Sequence, residues 1–279
     1  MSITSSNVDG LGSGSSITRL AYSGRGGLVR VRRVVAGNPG PYTGPGTNTW
    51  ILEGDPVAVV IDPGPDDDAH LAAIEAKLGG AAVGLVLVTH SHPDHLPLAA
   101  RLAARHHCPV LRHPELQEGD LIQVGKVRLR ALFTPGHASD HFCFLQEEDR
   151  AVFTGDLVLG RGSTMITHPD GDMAAYLRSL QRLLELRPAI LFPGHWDPVD
   201  DPLAKLEEYL SHRLDRERQV LAALEAGSAG AAELTRRVYG AEVSGAELLR
   251  AAEMTLKAHL GKLIDEGRVT EDGSRYSLA

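Results

Sequence analysis

Cysteine, aromatic residues and long apolar segments are all scarce in this sequence. Cys108 and Cys143 are the only cysteines in 279 residues, and neither belongs to a CxxC pair. Both lie beside apolar residues, so we expect two reduced thiols in a core and a cytoplasmic protein. No apolar run reaches the roughly 18 residues of a membrane-spanning helix. No basic segment followed by an apolar one opens the chain, so neither a membrane protein nor a secreted one is expected.

An excess of positive charge is also missing. Lys and Arg number 28 against 36 Asp and Glu, which gives a net charge of −8. An acidic chain does not attract a polyanion through its overall field, so broad non-specific nucleic-acid binding is disfavoured. With 43% hydrophobic and 23% charged residues the composition is that of a folded globular protein, and the length allows one large domain with a small appendage.

Short apolar runs bounded by Gly, Pro or Asp alternate with helical patterns along most of the chain. The runs predict strands at 28–35, 48–53, 57–61, 85–88, 121–124, 126–133, 142–146, 151–154 and 189–192. Apolar spacings of three and four predict helices at 66–78, 96–105, 172–186 and 203–225. Two successive blocks of strands with interleaved helices predict an α/β fold in which two sheets pack together and helices cover them.

The two ends of the chain differ from this central pattern. Residues 1–16 are rich in Ser and Gly and predict a flexible tail, so the main domain is expected at 17–226. A Gly- and Ser-containing linker at 226–230 precedes a module at 231–279. Helices at 231–239 and within 246–266, then strands at 268–270 and 275–278 around an Asp272-Gly273 turn, predict a winged-helix-like module. Its expected core contains Leu248, Leu249, Leu256, Leu260, Leu263 and Ile264.

The segment THSHPDH carries the main chemical signal. It follows the predicted strand at 85–88 and holds His90, His92, Asp94 and His95 on one loop. Imidazole and carboxylate groups are ligands for borderline metals such as zinc. In extended geometry His90 and His92 project to one side, whereas Asp94 and His95 lie past the bend at Pro93 and can serve a second metal.

Three more residues of ligand type follow predicted strands and stand beside Gly. They are His137 in TPGH, Asp156 in FTGD and His195 in FPGH. Each alone would be interpreted as a turn residue. Strand ends in such sheets gather at one edge, where binding sites form. Together with the first loop they make seven ligands, enough for two metal sites that share one ligand.

This pattern, HxHxDH followed by single His, Asp and His residues at strand ends, resembles the metallo-β-lactamase-fold hydrolases over nearly the whole chain. The resemblance implies a four-layer αββα fold. It also implies that His90, His92 and His137 hold one metal, that Asp94, His95 and His195 hold a second, and that Asp156 bridges them. We expect Asp94 and Asp156 to belong to the catalytic centre. The zinc β-lactamases of this motif have Cys where this chain has Asp156, which argues against β-lactam hydrolysis.

Further segments resemble one subfamily, the β-lactamase-like protein 2 group. They are GTNT at 46–49, PGHASDH at 135–141, LGRGST at 159–164 and YLSHR at 209–213. The group includes a mitochondrial endoribonuclease and fungal thioesterases that release polyketides from a carrier protein, and its members share a C-terminal winged-helix-like segment. The long insert of RNA 3′-processing relatives and the helical glutathione-binding domain of glyoxalase II are both absent from this sequence.

Two metals in such a site would hold a bridging hydroxide at neutral pH, so no protein nucleophile is needed. The sequence indeed contains no GxSxG motif. Zinc is the favoured metal, although Mn²⁺ and Fe²⁺ also suit nitrogen and oxygen ligands. Asp62 and Asp140 are candidate carboxylates for orienting ligand histidines, and a simple turn role for Asp62 is an equal alternative.

Several neighbouring residues are candidates for substrate binding. Arg161, Ser163 and Thr164 lie in a Gly-containing loop after Asp156, which an exposed connection would also explain. His212 and Arg213 are placed near the pocket by the resemblance, with a surface salt bridge as the rival interpretation. His141 either lines the pocket or forms internal hydrogen bonds, and the internal role is favoured.

Two enzymatic functions share this chemistry. The first is hydrolysis of a small-molecule or carrier-protein-bound ester or thioester; the alternative is cleavage of single-stranded RNA by an endoribonuclease. Residues 201–279 carry fourteen acidic and eleven basic residues, and acidic residues interrupt the strip formed by Lys257, Lys262, Arg268 and Arg275. A nucleic-acid-binding winged helix should be basic, so the ester or thioester is favoured and the module is expected to frame the pocket or form a homodimer contact. A transcription factor is disfavoured by the complete metal set.

Overall fold

The computed structural model describes residues 29–241, 243 and 245–279, so the predicted tail at 1–16 lies outside the described residues. Two five-stranded sheets form the centre of the fold. The first has the order β1 (Arg30–Val35), β2 (Asn48–Glu53), β3 (Val57–Ile61), β4 (Ala82–Leu87) and β5 (Val110–Leu111). The second runs β10 (Ile190–Pro193), β9 (Ala151–Gly155), β8 (Phe142–Gln146), β7 (Val127–Phe133) and β6 (Leu121–Val124).

The sheets pack face to face and helices cover their outer faces, which gives the predicted αββα layers. Alternation within the strands decides which side chain enters which layer. In β2, Trp50 and Leu52 join the core between the sheets, whereas Ile51 faces the helices α1 (Asp68–Leu78) and α2 (Ala99–His106). In β8, Phe144 faces the inter-sheet core and Cys143 faces α3 (Met173–Leu186) and α4 (Pro202–Glu225). Strands buried on both faces explain the continuous apolar runs in the sequence.

Aspartate residues fix where three of these helices begin. Asp67, Asp172 and Asp201 are the N-caps of α1, α3 and α4, and each carboxylate accepts a hydrogen bond from a backbone N–H of the first turn. Such a cap stabilises a helix by about 1 kcal/mol. Because α1 and α3 start next to the strand ends, these caps also fix the edge of the sheets at which the loops emerge.

The C-terminal residues form a small helical module with its own sheet. It contains β11 (Ala229–Gly230), α5 (Ala231–Tyr239), α6 (Ala246–Asp265), β12 (Val269–Asp272) and β13 (Arg275–Leu278), with the sheet order β11-β13-β12. Leu256, Leu260 and Leu263 are almost completely buried in its core together with Val220 and Leu224 from the end of α4. The module is therefore built onto the long helix of the main domain.

Polar contacts also join the module to the rest of the chain. The buried carboxylate of Glu217 on α4 accepts hydrogen bonds from Lys262 at 2.5 Å and Arg268 at 2.6 Å. Thr255 on α6 accepts a hydrogen bond from the backbone N–H of Ile166, at 3.2 Å, and Ala258 lies in the core beneath α3 and α4. The long helix α6 thus faces the catalytic half of the molecule.

The structure corrects several details of the prediction. Helix α2 begins at Ala99 instead of residue 96, because residues 93–98 form turns, and β4 begins at Ala82 rather than 85. The two-residue strands β5 and β11 were not predicted, since two residues carry no alternation. The hairpin turn lies at Gly273-Ser274, one residue later than predicted. Leu248 is 40% exposed and does not belong to the module core.

Within residues 29–241, 243 and 245–279, no helix combines the length and the apolar character that crossing a bilayer would require.

Burial in the module gives a direct stability test. Leu263→Ala should lower the free energy of unfolding by about 2–5 kcal/mol, because it leaves a cavity in a packed core. Leu248→Ala removes the same atoms from an exposed position and should cost less than about 1 kcal/mol. Urea unfolding of the two variants measures the difference, and equal losses would contradict the assigned core.

Candidate metal centre and cavity

Seven side chains with metal-ligating atoms meet where strand ends from both sheets converge. The loop after β4 carries His90, His92, Asp94 and His95, while the residues just past β7, β9 and β10 supply His137, Asp156 and His195. Their donor atoms form three overlapping groups, each with all its atoms within 4.8 Å of one another: His90, His92 and His137; His90, His95 and Asp156; Asp94, His95 and His195. The structure thus brings all seven predicted ligands together.

Distances within the cluster match the spacing of ligands around a metal ion. His137 Nε2 lies 3.1 Å from His92 Nδ1 and 3.7 Å from Asp156 Oδ2. His195 Nε2 lies 3.2 Å from Asp94 Oδ2 and 3.3 Å from Asp156 Oδ2. Two ligand atoms bound to one tetrahedral zinc ion at about 2.0 Å lie about 3.3 Å apart. Asp156 stands between the two histidine groups, as a shared ligand requires.

Buried lone pairs without a partner support the same interpretation. His90 Nε2, His95 Nε2 and Asp156 Oδ1 are buried and have no hydrogen-bond partner in the described part of the chain. A buried polar atom left unsatisfied costs about 1–3 kcal/mol. The residues present therefore fit one or two divalent metal ions whose ligands are imidazole nitrogens and carboxylate oxygens.

Hydrogen bonds on the far side of the rings aim Nε2 of three histidines into the centre. The Nδ1 atoms of His137 and His195 lie 2.7 Å and 3.2 Å from the backbone carbonyls of Met165 and Gly46, which accept from them. His90 Nδ1 lies 2.9 Å from the Thr89 hydroxyl. An Nδ1–H donor leaves Nε2 as a lone pair, which is the tautomer that a metal ligand needs.

Asp62 organises the loop that carries four of the ligands. Its buried carboxylate lies 3.0 Å from His95 Nδ1 and accepts hydrogen bonds of 2.7 Å from the backbone N–H and the hydroxyl of Thr89. Since Thr89 in turn contacts His90, one carboxylate orients two ligand histidines. The orienting role predicted for Asp62 is therefore what the structure shows, and Asp140 fixes the same loop by accepting a 3.0 Å hydrogen bond from the N–H of Ser91.

The two ligand carboxylates are also held by neighbouring groups. The Thr47 hydroxyl donates to Asp94 Oδ2 at 3.0 Å. His141 Nε2 accepts the backbone N–H of Asp156 at 3.3 Å, and the Thr164 hydroxyl donates to the Asp156 carbonyl at 2.7 Å. Gly194 leaves room for this packing, since a Cβ there would lie 2.4 Å from Asp156 Oδ1 and 2.8 Å from His95 Cε1.

Charge within the cluster holds the carboxylates in the ionised form that binds metal. Although burial opposes it, the adjacent His195 and His95 rings hold the pKa of Asp156 well below its usual range. Burial alone lowers the pKa of His195, but the Asp156 carboxylate outweighs it and raises that pKa to about 9. His137 is dominated by burial, which lowers its pKa to about 4, so this imidazole is neutral at physiological pH.

A cavity of about 650 Å³ opens above the cluster. His92, Asp94, His137, Asp156 and His195 form its floor. The walls include residues from the loops after β1 and β10, from α4 and from the C-terminal module: Tyr42, Trp196, His212, Arg213, Tyr239, Leu248, Ala251, Ala252 and Thr255. A cavity of this size suits a small molecule or the end of a tethered acyl chain.

The predicted substrate residues divide into two groups. Ser163, Thr164, His212 and Arg213 line the cavity. Arg161 is exposed and is not among the lining residues. His141 is fully buried and holds Thr134 and the Asp156 backbone, so a substrate contact for His141 is wrong and its internal alternative is the observed one.

Sequence reasoning missed several residues of the site. Thr47 lies in the GTNT segment, but nothing in that pattern shows that its hydroxyl reaches a carboxylate 47 residues away. Trp196 directly follows the predicted ligand His195 in the sequence, and this position could have predicted that Trp196 lines the cavity. Leu248 and Thr255 could not have been assigned to the cavity, because helical spacing does not show which domain a helix face meets.

The role of Asp62 leads to a metal-affinity prediction. Asp62→Asn keeps the size of the side chain but replaces an accepting oxygen, so we expect metal affinity to fall about 10- to 100-fold. Competition with a chromophoric chelator measures this fall. Asp197→Asn is a matched control, since its side chain is 85% exposed and pairs with Arg33; an equal fall in both variants would count against the role of Asp62.

Loss of Asp156, the candidate shared ligand, should have a larger effect. Asp156→Ala removes a carboxylate that lies within 3.7 Å of three ligand histidines, so bound metal should fall by at least one equivalent and hydrolytic activity by more than 100-fold. Elemental analysis and an activity assay on the same preparation test this. Unchanged metal content would remove Asp156 from the ligand set.

Comparisons with known proteins agree with this geometry. Residues 42–118 and 114–195 match the model of the Metallo-beta-lactamase superfamily, and residues 231–277 match the Beta-lactamase associated winged helix domain. An Atrochrysone carboxyl ACP thioesterase of Aspergillus chevalieri is 36% identical over 233 residues, which are 76% of this chain and 73% of the relative. A Beta-lactamase-like protein 2 homolog of Caenorhabditis elegans is 30% identical over 258 residues, covering 86% and 85%.

A solved structure shows the same fold. A metallo-beta-lactamase family protein from Thermus thermophilus superposes with a TM-score of 0.78 at 25% identity, over 89% of this chain and 98% of the other. The domain match, the relatives and the strand-end cluster of His and Asp residues lead to one conclusion: the chain is a hydrolase of the metallo-beta-lactamase superfamily, a family that binds divalent metal, and it carries the associated winged helix domain.

Proposed function

We propose that this protein hydrolyses a thioester, with an acyl group tethered to a carrier protein as the preferred substrate class. The observation that carries the proposal is the cavity, whose floor is the ligand cluster and whose walls are largely apolar side chains such as Leu159, Trp196, Leu248 and Ala252. An acyl chain fits such a lining, and relatives of this chain are named as thioesterases of an acyl carrier protein.

The ligands divide into two sets in this proposal. His90, His92 and His137 hold one metal, Asp94, His95 and His195 hold the other, and Asp156 is shared, with zinc the favoured metal and Mn²⁺ or Fe²⁺ as alternatives. When bound, two such ions supply Lewis acidity and a hydroxide nucleophile at neutral pH. The chain's own residues keep Asp94 and Asp156 ionised, fix the histidine tautomers, and narrow the access of bulk water through the wall that α6 contributes.

Contacts within the C-terminal module favour the thioester over RNA. Lys262 and Arg268 pair with Glu217, Lys257 pairs with Glu253, and Arg275 donates to Ser228. The four basic residues of the strip noted in the sequence are thus engaged by partners in the chain. The helix that precedes the hairpin, α6, turns Ala251, Ala252 and Thr255 toward the cavity rather than toward an external duplex or strand.

An assay on paired substrates tests the proposal. The metal-loaded protein should hydrolyse acyl thioesters of pantetheine and of an acyl carrier protein, with a kcat/KM at least 100-fold above that of the matched oxygen ester or of cleavage of labelled single-stranded RNA. RNA cleavage as the dominant activity would contradict the proposal.

Removal of the C-terminal module distinguishes thioester hydrolysis from RNA cleavage by a second experiment. A chain ending at Gly227 lacks α5 and α6, so it should lose stability and thioester hydrolysis together. A truncated protein that keeps thioester hydrolysis and loses only RNA cleavage would show that the module grips RNA. Salt provides the control, because RNA held through several phosphates should bind far more weakly at about 200 mM than at about 50 mM salt, whereas hydrolysis of a neutral thioester should barely respond.

A further inference from the structure

Arg213 is a buried cation on the wall of the cavity. It lies on α4 with 2% of its surface exposed, and its guanidinium stands 5.4 Å from the centre of the Tyr176 ring. It donates a hydrogen bond to the backbone carbonyl of Thr164, while its Nε has no hydrogen-bond partner in the described part of the chain. Both Arg213 and Thr164 line the cavity.

No carboxylate lies within ion-pair distance of Arg213 among the residues that the structure describes. One turn along the same helix, the buried Glu217 has two cationic partners, Lys262 and Arg268. Burying a charge without a counter-charge is strongly unfavourable, so an unpaired buried guanidinium points to a partner that arrives from outside the chain.

The buried neighbour of Arg213 on α6 does not supply a counter-charge. His259 is fully buried beside it on α6, and burial together with the positive charges of Arg213 and Lys262 lowers the pKa of His259 to about 3. A neutral His259 adds no negative charge to balance the arginine. The charge of Arg213 on this wall is therefore not balanced by His259, whereas Lys262 pairs with Glu217 and Glu266.

Arg213 is connected to the ligand cluster by a short chain of contacts. Its partner carbonyl belongs to Thr164, whose hydroxyl donates to the backbone carbonyl of Asp156 at 2.7 Å. The Thr255 hydroxyl faces the same cavity and accepts the N–H of Ile166, so its own hydrogen remains available to donate. An anionic oxygen group could contact the guanidinium and a hydroxyl at once.

We propose that Arg213 binds a carboxylate or phosphate group of the substrate, at a subsite on the cavity wall separate from the metal ligands. The planar guanidinium matches the paired oxygens of either group. The subsite rests on the proposed function and deepens it: the substrate is a thioester that carries a second, anionic group, either a carboxylate on its acyl chain or a phosphate on its thiol side.

Binding of uncleavable thioether analogues to the full-length, metal-loaded protein tests the subsite without requiring turnover. The acyl-side pair is S-butyl- and S-(3-carboxypropyl)-N-acetylcysteamine; the thiol-side pair is S-butyl-pantetheine with and without its 4′-phosphate. Calorimetry should show at least tenfold tighter binding of the charged member in one of the two pairs, which identifies the source of the anion. Equal affinities within both pairs would overturn the proposal.

Variants then assign the preference to Arg213. Arg213→Met should reduce the preference to about twofold or less, and Arg213→Lys should retain an intermediate value because it keeps the charge without the fork. Arg101→Met is the matched control, since Arg101 lies on α2, over the other sheet, and is paired with Asp66 and Asp68; it should leave the preference unchanged. Circular dichroism and urea unfolding establish that each variant is folded.

Two outcomes separate this subsite from the proposed function. A preference that survives in folded Arg213→Met would place the anion at the metals and overturn the subsite. A preference that disappears in Arg213→Met, in a protein that hydrolyses no thioester, would support the subsite and contradict the thioesterase. If Arg213→Met does not fold, Arg213→Lys decides: an undiminished preference with a lysine would contradict a role for the guanidinium fork.

Discussion

The crowding of inward-facing lone pairs at one edge of two sheets is the constraint on which the rest of the structure depends. Imidazole nitrogens and carboxylate oxygens lie 3.1–3.7 Å apart there, and several of them are buried without partners. Lone pairs this close repel one another unless a proton or a metal ion lies between them, and, although burial opposes it, the carboxylates raise the pKa of His195 for that reason. The surrounding chain holds them in place: Asp62 and Thr89 orient two rings, backbone carbonyls orient two more, and Gly194 leaves the space that a Cβ would fill. These contacts hold the polar side chains close together, although their mutual repulsion favours a more open arrangement.

The winged-helix module contributes part of the cavity wall. Its helix α6 closes one wall, its core shares Val220 and Leu224 with the long helix α4, and the buried Glu217 joins the two through ion pairs. A module of about 50 residues can bury only a small core of its own. Packing against α4 of the main domain buries the additional apolar surface that the module needs. The same contacts turn toward the cavity the helix face that a nucleic-acid-binding winged helix would present outward.

Much of the fold and of the candidate ligand cluster was accessible from the sequence, because both depend on local patterns. Apolar runs buried on two faces predicted most strands of both sheets, and the His and Asp residues after those runs predicted which side chains would meet in the cluster. The residues that form the cavity walls were harder to predict from the sequence. Leu248 has the spacing of a core residue, yet it lines the cavity, and Arg161 shares a motif with Ser163 and Thr164 but is not among the lining residues. His141 was correctly suspected of an internal role. Which surface a helix or loop meets depends on distant packing, and no local pattern records it.

The central proposal is that this cluster of seven candidate ligands holds two divalent ions. Equilibrium dialysis of the full-length protein against buffered Zn²⁺, followed by elemental analysis, tests it most directly. Two equivalents per chain at saturation, with the second retained at micromolar free zinc, is the result that the proposal predicts. Saturation at one equivalent would show that the two histidine groups and Asp156 form a single metal site, and it would contradict the account given of the cluster.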